Sequence, residues 1–211
     1  MILPSDLPET IPLFPLPGGV LLPRARLPLH VFEPRYLALL DDALRTASRL
    51  IGIVQPVEKD SETLHQVGCL GRVTSFTETD DNRYMITLTG VSRFRIEQLE
   101  DGFTPYKCAR ISWAGFEHDS KRVSRDPSFD RQGFLGLLQR YFDLRDLSTD
   151  WEQIQGAEED MLVNSLSMLC PFSIEEKQAL LEAENLAERR RTLTALLEYA
   201  IYSNSDDEVI Q

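Results

Sequence analysis

The stretch IPLFPLPGGVLLPRARLPLHVFEPRY, from Ile11 to Tyr36, contains six of the chain's twelve prolines although it is otherwise strongly apolar. Proline lacks a backbone N–H and is therefore confined to the starts, edges and bulges of strands. The pattern predicts two short strands, IPLF and LPLHVF, joined by the turn Pro17-Gly18-Gly19 and the segment LLPRAR. Kinks of this kind bend strands around a small closed sheet, so we expect a barrel-like β domain. Because LPLHVFE is apolar on both faces except at His30, we expect this strand to be covered on both sides.

The residues that follow continue the β pattern. The cluster Asp80-Asp81-Asn82 lies between two β-rich runs and predicts a hairpin, and Gly90 separates a third run. In that third run Phe94 and Ile96 alternate with charged residues, Arg93 among them, which predicts one buried and one solvated face. RLIGIVQP and YKCARISWAG predict two more strands. EPRYLALLDDALRTA is the exception, since its leucine spacing predicts a helix beginning at Pro34.

Four helical segments are predicted after a polar linker. FDRQGFLGLLQRYFDL places Phe134, Leu137, Leu138 and Tyr141 on one face. Capping-box pairs at Thr149/Glu152, Ser173/Glu176 and Asn185/Glu188 mark the other starts. The adjacent residues Arg189, Arg190 and Arg191 splay around a helix, and we interpret them as solvated surface paired with nearby glutamates.

These patterns divide the chain into four parts. We expect a β domain over residues 1–118, a linker over 119–129, a helical bundle over 130–203 and an acidic flexible tail over 204–211. The helices must bury their apolar stripes against each other or against the barrel. The predicted fold is therefore an α+β pseudo-barrel with one internal helix, followed by a docked bundle.

The charge of the chain is unevenly distributed. The net charge is −12, and residues 126–211 carry 18 acidic against 7 basic side chains. Nucleic-acid binding draws most of its affinity from Lys and Arg, so this composition disfavours nucleic acid and anionic membrane surfaces as partners. MILPSDLPET lacks the basic and apolar regions of a signal peptide, and the sequence has no apolar run of the length that spans a bilayer, so we expect a soluble protein that is not exported. Three widely spaced cysteines favour a reducing cytoplasm over a disulfide framework.

Several separated motifs share a resemblance. PLFPLPGGVLLPRARLPLHVFEPRY, GCLGRV and GVSRFRI resemble the N-terminal substrate-binding domain of the Lon protease family. LVNSLSMLCPFSIEEKQALLEAENLAERRRTLTALL is similar to the helical part that follows it, so the resemblance covers about Glu9 to Tyr202. The resemblance implies a PUA-like pseudo-barrel plus a helical bundle. It further implies a module that recognises unfolded or misfolded polypeptides, as an adaptor to a protease or chaperone or as a holdase.

No catalytic machinery accompanies these motifs. The sequence has no GxxxxGK[ST] phosphate loop, and none of its four lysines lies in a stretch resembling the Lon protease site. HExxH and CxxC metal motifs are also missing. We therefore expect a stand-alone, non-catalytic domain without cofactor or metal, whose oligomeric state the sequence leaves open.

The best candidate for a polypeptide-binding site is the predicted strand-to-helix junction. There an aromatic pair, a carboxylate and a guanidinium lie within five residues: Phe32, Glu33, Pro34, Arg35 and Tyr36. The alternative is structural, with both aromatics in the core and Arg35 paired to Glu33 or Asp41.

Two other functions remain open. A PUA-like barrel could bind a nucleic acid or small ligand through a basic face of Arg72, Arg93 and Arg95, although solvated strand residues are the commoner explanation for these arginines. A hydrolase would need a nucleophile beside a base, and His30 with Cys69 could meet across the barrel. A core histidine and a buried thiol are the commoner explanation for that pair.

Overall fold

Six strands form one mixed sheet in the computed structural model, which describes residues 7–79, 83–119, 126 and 129–208. The strands are β1 (Thr10–Pro15), β2 (Arg26–Val31), β3 (Leu50–Val54), β4 (Val67–Glu78), β5 (Tyr84–Glu100) and β6 (Cys108–Ser112). Helix α1 (Pro34–Arg45) interrupts them. The predicted α+β class and the mostly antiparallel pseudo-barrel are confirmed, while the hairpin tip Asp80-Asp81-Asn82 lies outside the described residues.

The sheet closes because β5 is long enough to have two neighbours on one side. The order is β2-β5-β4-β3-β1-β6, and β6 pairs back onto the second half of β5. β1 and β3 form the parallel pair. Gly90 does not separate a third strand as predicted, since β5 runs through it with a register shift against β4 at Gly71. β2 pairs only with the first half of β5 and is left as an edge strand.

Two apolar cores fill the β domain. Inside the closed ring Phe94 is fully buried, and a Cβ at either Gly52 or Gly68 would lie within 3.1 Å of its ring. The second core lies between the sheet and α1, where Tyr36, Leu39, Leu40 and Ala43 of the helix are buried.

Among the described residues that follow the sheet, five helices form the bundle rather than the four predicted. They are α2 (Arg131–Leu144), α3 (Trp151–Gly156), α4 (Glu159–Leu169), α5 (Ile174–Glu182) and α6 (Leu186–Glu208). α4 was not predicted. The cap of α3 is Asp150 and not Thr149, since the Asp150 carboxylate accepts from two backbone amides. The capping box at Ser173 is confirmed, and Asn185 caps α6. The predicted domain boundaries stay a proposal.

Buried polar side chains join the bundle to the barrel. Gln55 is fully buried and donates to the Ile174 carbonyl and to Gln178 Oε1. Lys177 reaches from α5 to the Gly18 carbonyl at 2.8 Å. Gly18 has φ 68°, a conformation that glycine adopts without strain.

Two arginines expected at the surface are buried in the same interface. Arg93 is 2% exposed, and it forms an ion pair with Asp119 and donates to carbonyls of the α5–α6 connection. Arg189 is 4% exposed and donates to the Leu180 carbonyl. The prediction of a solvated face was therefore wrong at both positions. Arg191 is exposed and does pair with Glu188, as predicted.

β2 differs from its prediction in a further respect. Its alternate residues Arg26, Pro28 and His30 are exposed, so the strand is covered on one face only. Among the helices in the described ranges, none is long and apolar enough to cross a membrane.

Candidate functional site

A cleft of about 550 Å³ opens beside the edge strand β2. Its walls are the end of β2, the first turn of α1, the residues after β1 and the loop 56–64, with Lys107 at one side. These segments are distant in sequence and come together because β1 and β3 are neighbours in the sheet while α1 follows β2 directly. The cleft is within the size range of protein ligand pockets, about 300–1,000 Å³.

The floor of the cleft is aromatic. The rings of Phe14 and Tyr36 stack with their centroids 4.1 Å apart and an interplanar angle of 22°. Tyr36 is only 8% exposed, and this burial raises the pKa of its phenol. The floor is therefore rigid and uncharged at neutral pH.

Phe32 forms the exposed rim. It is 56% exposed, its ring lies 5.9 Å from that of His30, and the Arg83 guanidinium lies 5.8 Å above its centroid. A large aromatic side chain in this position has apolar surface available to a ligand.

The charges that line the cleft balance in number, with three acidic and three basic side chains. Arg35 donates to Glu33 Oε2 from Nε and Nη2, at 3.0 and 2.8 Å, and this hydrogen bonding raises the pKa of the guanidinium. Arg35 also lies 4.8 Å from the centroid of the Tyr36 ring. Lys107 donates to the Glu62 carbonyl at 3.0 Å. The cleft therefore presents no strong net charge.

β2 exposes backbone groups along the cleft. The Gly90 amide donates to the Ala25 carbonyl, one position before the pair Arg26–Thr89. Opposing residues of antiparallel strands alternate between pairs that are joined by hydrogen bonds and pairs that are not. Because Ala25 and Gly90 are joined, Arg26 and His30 are in pairs that are not, and their backbone N–H and C=O groups point away from β5. The backbone of Pro28, midway between Arg26 and His30, also faces away from β5. Proline is usually found at such positions of an edge strand because it has no N–H to donate. His30 thus offers one donor and one acceptor to an added strand.

Four of the five predicted site residues line this cleft: Phe32, Glu33, Arg35 and Tyr36. Pro34 is exposed and does not line it. The structural alternative holds in part, because Tyr36 belongs to the core and Arg35 pairs with Glu33, whereas Phe32 does not pack inward. The prediction missed Phe14 and the loop 56–64. Both are distant from the junction in the sequence, so only the fold brings them to it. Their binding role stays a prediction.

The other candidate sites do not form as expected. The basic face is lost because Arg93 is buried, leaving Arg72 and Arg95 exposed. His30 and Cys69 pair with opposite halves of β5, about 25 Å apart for an extended strand. Cys69 is fully buried, and burial raises the pKa of its thiol far above the usual range. Within the described part of the chain no group of His, Cys, Asp and Glu could hold a metal ion.

The sequence has clear relatives. Lon protease 2 of Sorangium cellulosum is 27% identical over 210 residues, which cover 92% of this chain and 25% of the relative. Lon protease 2 of Myxococcus xanthus is 25% identical, with 92% and 24% covered. The chain thus spans about a quarter of the length of these curated relatives.

Solved structures agree with this relationship. The crystal structure of a Lon N-terminal domain protein from Xanthomonas campestris is 26% identical, has a TM-score of 0.62, and covers 88% of this chain and 97% of its own. The N-terminal domain of a Mycobacterium avium complex Lon protease has a TM-score of 0.64 with coverage of 90% and 98%, and at 16% identity it shows the fold alone. Residues 10–199 match the family described as ATP-dependent protease La (LON) substrate-binding domain. The match includes neither the protease nor the ATPase module, and the chain belongs to this family of substrate-binding domains.

Proposed function

We propose that this domain is a non-catalytic recognition module that binds extended segments of unfolded or misfolded polypeptides in the cleft beside β2. It delivers them as an adaptor to a protease or chaperone, or holds them in solution. The family assignment supports substrate recognition, and the size and aromatic lining of the cleft support our placing it there.

The observation that carries this proposal is the combination of an open strand edge with an aromatic floor. A client segment that pairs with His30 of β2 gains main-chain hydrogen bonds, which are independent of its sequence. Its alternate side chains then point toward the Phe14–Tyr36 stack and the Phe32 rim. This combination suits unfolded clients, because they expose both backbone hydrogen-bonding groups and apolar side chains.

The balance of charges around the cleft determines the salt dependence. Because three acidic and three basic side chains line it, and Arg35 is paired with Glu33, little long-range attraction is available to a charged client. Binding driven by apolar contacts is not screened by salt. We therefore expect affinity for unfolded clients to persist when the salt concentration is raised.

The test is a binding titration with fluorescently labelled lactalbumin, unfolded by reduction and alkylation, and with its folded form at low and high salt. We expect saturable binding of the unfolded form only, at both salt concentrations. Phe32→Ala should weaken it, whereas Tyr199→Ala, which removes an even more exposed aromatic from α6, should not. Absence of binding, or equal loss in both variants, contradicts the proposal.

The strand edge has its own matched pair of variants. His30→Pro removes the N–H that faces the cleft without removing a hydrogen bond to β5, and Arg26→Pro does the same outside the cleft. We expect client binding to be lost in the first variant and retained in the second. If both variants bind the client equally well, the client does not add a strand to β2, even if Phe32→Ala weakens binding.

A further inference from the structure

A second cavity, of about 450 Å³, opens on the helical bundle where the end of α2, α3 and α4 meet. It shares no lining residue with the cleft beside β2. Its apolar walls are formed by Phe142, Leu147, Ile154, Met161, Leu166 and Leu169. We call this cavity the bundle groove.

One face of α4 borders the bundle groove without a partner. Met161, Ser165 and Leu169 follow each other at intervals of four residues and therefore share a helix face. Leu169 is 77% exposed, and Leu147 across the groove is 39% exposed. Apolar stripes of this kind are normally packed against another element. No residue in the described ranges of the chain covers this one.

Asp150 lines the bundle groove, and further acidic residues lie beside lining residues in the chain. The segment 143–160, which supplies half of the fourteen lining residues, contains seven acidic residues and one arginine. The acids in the first turn of α4 pair with arginines, so their charge is neutralised. Asp143, Asp146 and Glu152 are exposed and form no ion pair with any described residue. Asp143, Asp146 and Glu152 adjoin the lining residues Phe142, Leu147 and Gln153 in the chain, and Arg145 is the one basic residue among them. We call these three acids and Asp150 the acidic rim of the groove.

We propose that the bundle groove docks an amphipathic helix of a partner protein, with apolar residues on one face and Lys or Arg flanking them. The apolar face would cover Met161, Leu147 and Leu169, as helices do in hydrophobic grooves. The basic flanks would meet the acidic rim, which favours encounter and selects against acidic partners. This surface is separate from the client cleft, so a partner and a client can be bound together.

The test uses the full chain and a labelled 18-residue amphipathic peptide of Leu and Lys, with its Leu and Glu counterpart as the charge control. Fluorescence anisotropy should show saturable binding of the Lys peptide that weakens as salt is added, and no binding of the Glu peptide. Met161→Ser with Leu169→Ser should weaken the affinity at least tenfold. Tyr202→Ser, which removes an exposed aromatic from α6, should leave it unchanged.

A second pair of variants tests the charge contribution. Glu152→Gln should weaken binding about two- to threefold, as expected for one exposed charge, whereas Glu198→Gln on α6 should have no effect. Equal binding of both peptides, or full affinity in the double serine variant, overturns the proposal. A concentration-dependent dimer in sedimentation that the double serine variant abolishes also overturns it, since a second copy would then occupy the groove. Circular dichroism verifies folding, and Leu169→Ser alone replaces the double variant if the latter is unfolded.

Discussion

The buried ion pair between Arg93 and Asp119 allows a quantitative prediction about what holds the two parts of the molecule together. Arg93 Nε and Nη2 donate to the two carboxylate oxygens at 2.9 and 2.8 Å, and the Arg93 amide donates to the same carboxylate. The two side chains are 3% and 8% exposed. Removing the carboxylate in Asp119→Ala leaves a guanidinium that is buried without a counter-charge.

The expected magnitude follows from this burial. Breaking a buried pair by removing one partner costs about 3–5 kcal/mol. That is a large share of the total stability of a typical domain, about 5–15 kcal/mol. The exposed pair Arg35–Glu33 supplies the control, since its side chains are 57% and 42% exposed and such pairs contribute about 0–1 kcal/mol.

Urea unfolding followed by circular dichroism measures the difference. Asp119→Ala should lower the free energy of unfolding by about 3–5 kcal/mol, and Glu33→Ala by less than about 1 kcal/mol. Adding Arg93→Met to Asp119→Ala should cost less than the sum of the two single changes, because the double variant buries no unpaired charge. Equal effects of Asp119→Ala and Glu33→Ala would refute the reasoning.

Three further predictions concern the backbone, a buried phenol and a helix cap. Gly90→Ala should destabilise the protein by about 2–3 kcal/mol in urea unfolding, since its Cβ would lie 2.0 Å from the Leu22 carbonyl oxygen. Gly136→Ala is the control: its Cβ would lie in open space within α2, and it should stabilise the protein by up to about 1 kcal/mol. Burial raises the pKa of Tyr141 to about 12, so the folded state keeps a proton that the unfolded state loses above pH 10. The free energy of unfolding should therefore fall between pH 10 and about 12, and less steeply in Tyr141→Phe, when urea unfolding is repeated across that range. Ser173→Ala should cost about 1 kcal/mol in thermal unfolding because the capping box is lost.

The candidate site could be predicted only in part. The junction around Phe32 and Tyr36 was identifiable because its residues are adjacent in the chain and combine aromatic and charged groups. Phe14 was not, because its stacking on Tyr36 depends on how β1 and α1 meet across the sheet. The bundle groove has no local signature either, since its lining residues come from three helices, of which α4 was not predicted.

The elements that could be predicted from the sequence alone are those that depend on the chemistry of one residue and its neighbours in the chain. Pro28 places β2 at a sheet edge because it cannot donate, and Ser173 starts α5 because its side chain satisfies a backbone amide there. The burial of Arg93 was decided only by the tertiary structure. Alternation along β5 assigns residues to a face, but whether that face meets water depends on which distant segment packs on it. Here carbonyls at the end of α5 and just after it, about 90 residues further along the chain, turn an apparently solvated strand position into a buried junction.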